Sequence, residues 1–376
     1  MFNWRPWLGI LGLACTLAWG QAGNSELKEQ VIMVPKGAGL FLSELETTLY
    51  KPEGDGPFPV VVINHGKAYG NTRFQERYRP SSVARFFLQR GYAVVVPMRQ
   101  GFSKSGGVYI RGGCNVESNG HAQAEDVKVV LDYVTAQRWA DKSRILIAGQ
   151  SHGGWTTLAF GTLDYPGVRG LVNFAGGLRQ EDCAGWEATL ARAGSAYGKQ
   201  TRVPSLWFYG DNDSYFAPHV FRPLFENYVA AGGQAELIAF GRFGTDAHAM
   251  FGSRAGATVW QPSVERFMRS IGLAAALIYP EFGLVRTLPV PPATDFAALT
   301  EVDKIPYLKT SGRDGYQAFL TQQMPRAFAI SASGAWGWAN MGDDPLQRAL
   351  ANCNKHAKGQ PCRLYSVDDQ VVWVKD

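Results

Sequence analysis

The sequence predicts an α/β protein built on a mostly parallel sheet, followed by a small α+β unit. Three observations carry that expectation. Between residues 60 and 240, short runs of β-branched and apolar residues alternate with segments of helical periodicity, the mark of strand-helix-strand units. The runs VVVIN (60–64) and YAVVVP (92–97) are continuously apolar, as strands buried on both faces must be. From 284 to 294 the composition shifts to LVRTLPVPPAT, a proline-rich linker beyond which the regular alternation ends.

The elements follow in order. Residues 1–22 carry one charge, Arg5, then an apolar run from Trp7 to Trp19 and the small residues Ala18, Gly20 and Ala22. This is the layout of a secretory signal peptide, too short for a bilayer span of about 20 apolar residues. Cleavage after Gly20 or Ala22 removes Cys15; a lipoprotein anchor at Cys15 is the alternative, although Gly12 stands where such sites usually carry Leu. Segments 31–34 and 45–50 read as antiparallel strands and 52–59 as a loop. Strands are then expected at 60–64, 92–97, 144–148, 170–174, 205–209 and 235–240. Helices are expected at 82–90, ended by Gly91, and at 121–137, where Val127, Val130, Leu131 and Val134 mark one helical face. Further helices are expected at 155–163, 218–231 and 261–271. Beyond the linker lie a helix near 315–323, a strand at 326–331, a helix at 345–356 and strands at 363–367 and 370–374 joined by Asp368-Asp369. The expected organisation is a signal (1–22), an α/β domain (23–275), a linker (276–295) and an α+β unit (296–376).

With 46% hydrophobic and 18% charged residues among 376, the chain is too apolar for intrinsic disorder. Its net charge of +5 is spread along the chain rather than clustered, which leaves no electrostatic footprint for nucleic acid. Of five cysteines, removal of Cys15 with the signal leaves an even set in an exported chain, which points to disulfides. Three connectivities are open; Cys353–Cys362 is the shortest to close, and Cys114–Cys183 then pairs across a long separation.

Gly149-Gln150-Ser151-His152-Gly153 fits G-x-S-x-G, the strained turn that exposes a serine hydroxyl between a strand and a helix. The pattern alone is weak, but a strand ends just before it and a helix can follow. A serine needs a base to take its proton and a carboxylate to orient that base, each following the serine at the end of a later strand. The strand at 205–209 runs into Gly210-Asp211-Asn212-Asp213, and that at 235–240 leads to Thr245-Asp246-Ala247-His248. His248 is the candidate base. Asp213 is the candidate acid, since three residues give its side chain room to turn back; Asp211 is the alternative, and Asp246 reads as a turn or cap residue. An oxyanion needs two donors: the backbone N–H of His152, and one from Asn64-His65-Gly66-Lys67, where Lys67 is preferred and Ala68 comes next.

On these residues the chain resembles the dienelactone-hydrolase-like and prolyl-oligopeptidase-like serine hydrolases of the α/β-hydrolase superfamily. The matching stretches are VVVINHG (60–66), GYAVVVPMRQGFSKSGG (91–107), ADKSRILIAGQSHGG (140–154), YGDND (209–213) and GTDAHAMF (244–251). The resemblance implies an α/β-hydrolase fold and Ser151, Asp213 and His248 as a catalytic triad. Two departures stand out: dienelactone hydrolases proper carry a cysteine nucleophile, and prolyl oligopeptidases carry a long propeller domain. The C-terminal CNKHAKGQPC and LYSVDDQVVW resemble a segment appended to some exported bacterial proteins. The expectation is a periplasmic or secreted carboxylesterase acting on a small ester, with a short-peptide peptidase and a non-catalytic binding protein as alternatives. No cofactor and no metal are expected. Loops 67–75, 101–120 and 176–201 are expected to select substrate, with Cys114 and Cys183 bracing two of them.

Overall fold

Strands that are apolar on both faces must be covered twice, and the helices between them are long enough to do it. A computed structural model describes residues 27–39, 42–253, 255–283, 288–322, 324–340 and 344–375. The expected signal, with Cys15, lies outside the described residues. The strands are β1 (Gln30–Lys36), β2 (Ser43–Tyr50), β3 (Phe58–Asn64), β4 (Ala93–Pro97), β5 (Ala140–Gln150), β6 (Val168–Phe174), β7 (Ser205–Tyr209) and β8 (Ala235–Ala239). They form one sheet in the order β1-β2-β4-β3-β5-β6-β7-β8. β2 is antiparallel to both β1 and β4, and every pair from β4 to β8 is parallel.

The chain steps outward from β3 to β4, then crosses back to β5 and continues the other way. At such a reversal the two flanking connections leave on opposite faces, so a crevice opens at the carboxyl ends of the strands. Here those ends are Asn64 and Gln150, followed by Gly66-Lys67 and Ser151.

The two faces have separate cores that share the strands by alternation. On one, Val60, Val62, Ile145, Ile147, Leu171 and Trp207 meet side chains of α2 (Val116–Thr135), α3 (His152–Phe160), α4 (Trp186–Gln200) and α5 (Pro218–Ala230). On the other, Val61, Ile63, Leu146, Val172 and Leu206 meet α1 (Ser81–Leu88) and α6 (Ala257–Ser270).

Several elements depart from the sequence expectation, and glycine explains most of them. α2 begins at Val116, five residues early, capped by Asn115, whose Oδ1 accepts from the Ser118 N–H at 2.9 Å. Gly120 sits inside this helix because a Cβ there would lie 2.1 Å from the Tyr197 hydroxyl. The stretch 176–201, expected as a loop, contains α4. A Cβ on Gly194 would lie 2.4 Å from Leu224 Cδ1 and one on Gly198 2.1 Å from the Tyr228 carbonyl oxygen, so the residues that disguised this helix let it pack on α5. α3 starts at His152, directly after the serine, rather than at 155, and ends at Phe160, followed by a 3-10 turn, Gly161–Leu163.

Beyond residue 295, α7 (Thr310–Leu320), β9 (Arg326–Ile330), β10 (Trp336–Asn340), α8 (Pro345–Asn354), β11 (Arg363–Val367) and β12 (Gln370–Val371) form an antiparallel sheet ordered β10-β9-β11-β12 with helices on both faces. β10 was not foreseen, because WGWAN lowers strand propensity with Gly and Asn; Gly337 is needed where a Cβ would meet the Cys353 backbone nitrogen at 2.4 Å. The segment expected as a linker is fastened at both ends. The Ile278 and Tyr279 N–H groups donate to the Gln89 carbonyl at 2.7 and 2.9 Å, and the Thr294 N–H donates to the Val371 carbonyl at 2.8 Å.

A polar cluster lies under the crevice. The fully buried Arg99 donates from Nε to Gln123 Oε1 (2.9 Å) and from Nη2 to both the His65 carbonyl (2.7 Å) and His152 Nδ1 (3.3 Å). His152 therefore carries its proton on Nε2 and donates to Asn119 Oδ1 (2.9 Å). His65 accepts from the Arg99 N–H at Nε2 (3.2 Å) and donates from Nδ1 to the Gly66 carbonyl (2.7 Å). Burial, reinforced by the Arg99 charge, holds both imidazoles well below their ordinary pKa. In the unfolded chain both take up protons below about pH 6.5, so the stability of the neutral pair is complete above that pH and lost below it. The expected slope is about 1.4 kcal/mol per pH unit for each histidine. Urea midpoints measured from pH 7.5 to 5 should fall, and His152→Gln should make the fall shallower; an unchanged slope would refute this account.

Candidate active site

The turn after β5 is set by backbone crowding. Ser151 has φ 57° and ψ −125° and directly precedes α3. A Cβ on Gly149 would lie 2.3 Å from the Gly153 carbonyl oxygen, and one on Gly153 would lie 2.1 Å from that of Asn64. Only glycine lets the helix begin this close to β3 and β5. The Ser151 N–H donates to the Phe174 carbonyl at 2.9 Å, and the half-buried side chain projects at the strand ends.

The expected donors flank the serine. Gly66 packs against it, with an ideal Cβ position 3.3 Å from Ser151 Cβ. The neighbouring Lys67 N–H has no acceptor among the described residues, whereas the Ala68 N–H donates to Gln75 Oε1 at 2.9 Å. Gln75 also donates to the Gly66 carbonyl at 3.3 Å, bracing the loop from below. His152 is the first residue of α3, where a backbone N–H has no acceptor within the helix and the helix dipole favours negative charge.

Across the crevice, His248 lies in a 3-10 turn, Ala247–Ala249, and Asp213 follows β7. Both are buried, and His248 Nδ1 lies 3.1 and 3.0 Å from the two carboxylate oxygens of Asp213. Asp213 Oδ1 also accepts from the Tyr215 and Phe216 N–H groups, each at 2.8 Å. Asp246 acts as a cap: Oδ1 accepts from the His248 N–H (2.9 Å) and Oδ2 from the Ser214 hydroxyl (2.7 Å), tying the two loops together. Asp211, the alternative acid, is exposed and makes no contact with His248. Tyr215 covers the His248 ring at a centroid distance of 4.5 Å, and the His248 carbonyl accepts from Gln150 Nε2 at 2.6 Å. With Nδ1 held by Asp213, Nε2 has no hydrogen-bond partner among the described residues. Among the described residues no hydrogen bond joins Nε2 to Ser151 Oγ; such bonds often tighten only with substrate bound.

The remaining histidines are occupied elsewhere. His65 and His152 belong to the buried cluster, His121 bonds Thr162, exposed His219 faces Glu187, and His356 lies in the C-terminal unit. Cys114 and Cys183 are bridged, with Cα atoms 5.6 Å apart, joining the segments that lead into α2 and α4; Cys353 and Cys362 are bridged with Cα atoms 6.1 Å apart. Sequence reasoning missed Arg99, Asn119 and Gln75, whose roles depend on contacts distant in the chain. Among the described residues no cluster of histidine, cysteine or acidic side chains is arranged to hold a metal ion, and no helix is long and apolar enough to cross a membrane.

Residues 43–184, well under half of the chain, match the profile of the X-Pro dipeptidyl-peptidase (S15) family. The matched segment includes Ser151 and Lys67 but ends before Asp213 and His248. No curated protein matches the chain. Among solved structures, a puromycin-hydrolyzing peptidase of Mycobacterium tuberculosis is 18% identical over 65% of this chain and 39% of its own, with a TM-score of 0.48. An acetyl xylan esterase from Paenibacillus sp. R4 is 18% identical over 65% of this chain and 89% of its own, with a TM-score of 0.45. An esterase of Pyrococcus furiosus is 16% identical over 67% of this chain and 97% of its own, with a TM-score of 0.46. The strand order and the strained turn at Ser151 are those of an α/β-hydrolase fold, and residues 43–184 are similar to the X-Pro dipeptidyl-peptidase (S15) family.

Proposed function

We propose that the protein is an exported carboxylesterase that works through an acyl-enzyme. Ser151 Oγ attacks the ester carbonyl while His248 Nε2 takes its proton. Asp213 holds the imidazole tautomer and stabilises the imidazolium that forms. The Lys67 and His152 N–H groups receive the developing oxyanion, His248 returns the proton to the leaving alcohol, and water then releases the acid by the same route. The observation that carries this reading is the buried Asp213–His248 pair across the crevice from a strained, accessible serine. Export to the periplasm or medium is supported by the four bridged cysteines and the composition of residues 1–22.

A peptidase is the second reading, favoured by the family profile over 43–184. Against a dipeptidyl-peptidase stands the charge at the site. Lys67, Arg99 and Arg111 lie on the oxyanion side, and a substrate's free α-ammonium group would be repelled there.

A fluorophosphonate probe should label Ser151 in the folded protein, and 4-nitrophenyl acetate should be hydrolysed. Ser151→Ala should lower kcat about a million-fold. Amide turnover exceeding ester turnover would favour the peptidase, and an unlabelled, inert Ser151 would sink both readings. Asp213→Asn should lower kcat about 10⁴-fold, while Asp211→Asn should stay within a few-fold of the parent; the reverse pattern would exchange their roles.

A further inference from the structure

Some cations in this fold face carboxylates. Buried Arg77 faces Glu29, buried Arg90 faces Glu265, and Lys36 faces Asp126. The cations on the oxyanion side of the crevice do not. Among the described residues, Lys67, Arg99 and Arg111 form no ion pair. Arg99 is fully buried, and its Nη1 has no hydrogen-bond partner. Its guanidinium lies 5.3 Å from the Phe102 ring centroid and bonds His152, the residue after the serine. The Tyr109 ring stands edge-on to His152 at 5.9 Å, and Lys67 Nζ lies 6.0 Å from the centroid of that same ring. Arg111 is two residues further along. Burial and the charge of Arg111 push the Lys67 ammonium below its ordinary pKa, and burial lowers Arg99 to about 10. The nearest acid that acts on Arg99 is Asp126, which is already engaged by Lys36 and by the Gln100 N–H at 2.7 Å.

Uncompensated like charges gathered beside a reactive group, one of them buried with an idle donor, are unfavourable in the empty protein and are relieved by a bound anion. We infer that Lys67, Arg99 and Arg111 form a carboxylate-binding subsite and that the substrate is an ester carrying an anionic group close to the scissile carbonyl. Lys67 and Arg111, on the two exposed loops, contact the carboxylate; Arg99 supplies charge from beneath. The inference rests on the esterase reading, which it refines to a substrate class. The anion can belong to the acyl part or to the alcohol part, and one experiment separates the two.

Values of kcat/KM are measured on 4-nitrophenyl hemisuccinate against 4-nitrophenyl butyrate for the acyl side, and on 4-acetoxybenzoate against phenyl acetate for the alcohol side. One of these pairs should favour the charged ester at least tenfold. The preference should shrink with added salt and collapse at least tenfold in Lys67→Gln and in Arg111→Gln, both of which keep the backbone intact. The reading of activity and that of the subsite fail separately, because calorimetric titration with glutarate needs no turnover: the parent should bind it and Arg111→Gln should bind it at least tenfold more weakly. Loss of all ester turnover with glutarate binding retained would refute the esterase and keep the anion site. Equal rates on charged and neutral esters in both pairs, or glutarate binding unaffected by either substitution, would overturn the inference.

Discussion

Everything at the crevice depends on how closely α3 is held against the sheet. The helix starts one residue after β5 ends, leaving Ser151 in a backbone conformation that side chains rarely adopt, at a cost of about 1–3 kcal/mol. That conformation persists because the surroundings leave no alternative. Every residue from 152 to 160 is buried, and backbones meet at Gly149, Gly153, Gly154 and Gly176. A Cβ on Gly154 would lie 2.4 Å from Asn173 Oδ1, and one on Gly176 2.7 Å from the Gly154 carbonyl carbon. Packing of the helix thus supplies the energy that holds the turn. The turn leaves a half-buried hydroxyl at the strand ends and the His152 N–H at the head of α3, beside the unpaired Lys67 N–H of the loop after β3.

Around that turn the same side chain, imidazole, serves two purposes according to its neighbours. His248 sits beside a carboxylate and under an aromatic ring. His65 and His152 are buried beside Arg99, so they remain neutral and act as fixed hydrogen-bonding struts. Arg99 Nη2 reaches both the His65 carbonyl, at the end of β3, and the ring of His152, at the head of α3. One guanidinium therefore ties together the two segments that carry the proposed oxyanion donors. Asn119 extends the connection by donating to the Ile110 and Arg111 carbonyls at 2.7 and 2.9 Å, and the Cys114–Cys183 bridge fastens that rim to the approach to α4. Rim, oxyanion loop and serine turn form one connected unit.

What was legible in the sequence was what repeats locally. Continuous apolar runs gave the central strands, and the positions of Asp213 and His248 followed from where β7 and β8 must end. What was illegible depends on contacts between distant segments. The glycines of 185–198 read as loop until they are seen admitting α5, and Gly337 hides an edge strand for the same reason. Nothing in PMRQG reveals that Arg99 will be buried, because its partners His65, Gln123 and His152 come from three other parts of the chain. Asn119 lies ahead of the helix expected at 121–137 and is instead a buried residue of α2 that accepts from His152 and donates to the Ile110 and Arg111 carbonyls. Local propensity describes a segment in water; these residues were chosen by the neighbours that remove it from water.

Charge is divided across the crevice in a way that suits acyl transfer. On one side, in the reaction proposed above, the N–H groups at the head of α3 and the cations Lys67, Arg99 and Arg111 would make a positive field where a carbonyl oxygen becomes an oxyanion. That field also opposes the second event of the same step, the formation of positive charge on the base. Asp213 answers this on the other side: it is buried, it contacts His248 Nδ1, and its own charge is held by the Tyr215 and Phe216 N–H groups. In the proposed reaction a neutral residue at 213 would leave the imidazolium without the carboxylate that offsets it. The buried acid and the neutral histidine beneath the serine are thus two parts of one electrostatic solution, in which the negative charge of the reaction is welcomed on one side and the positive charge is paired on the other.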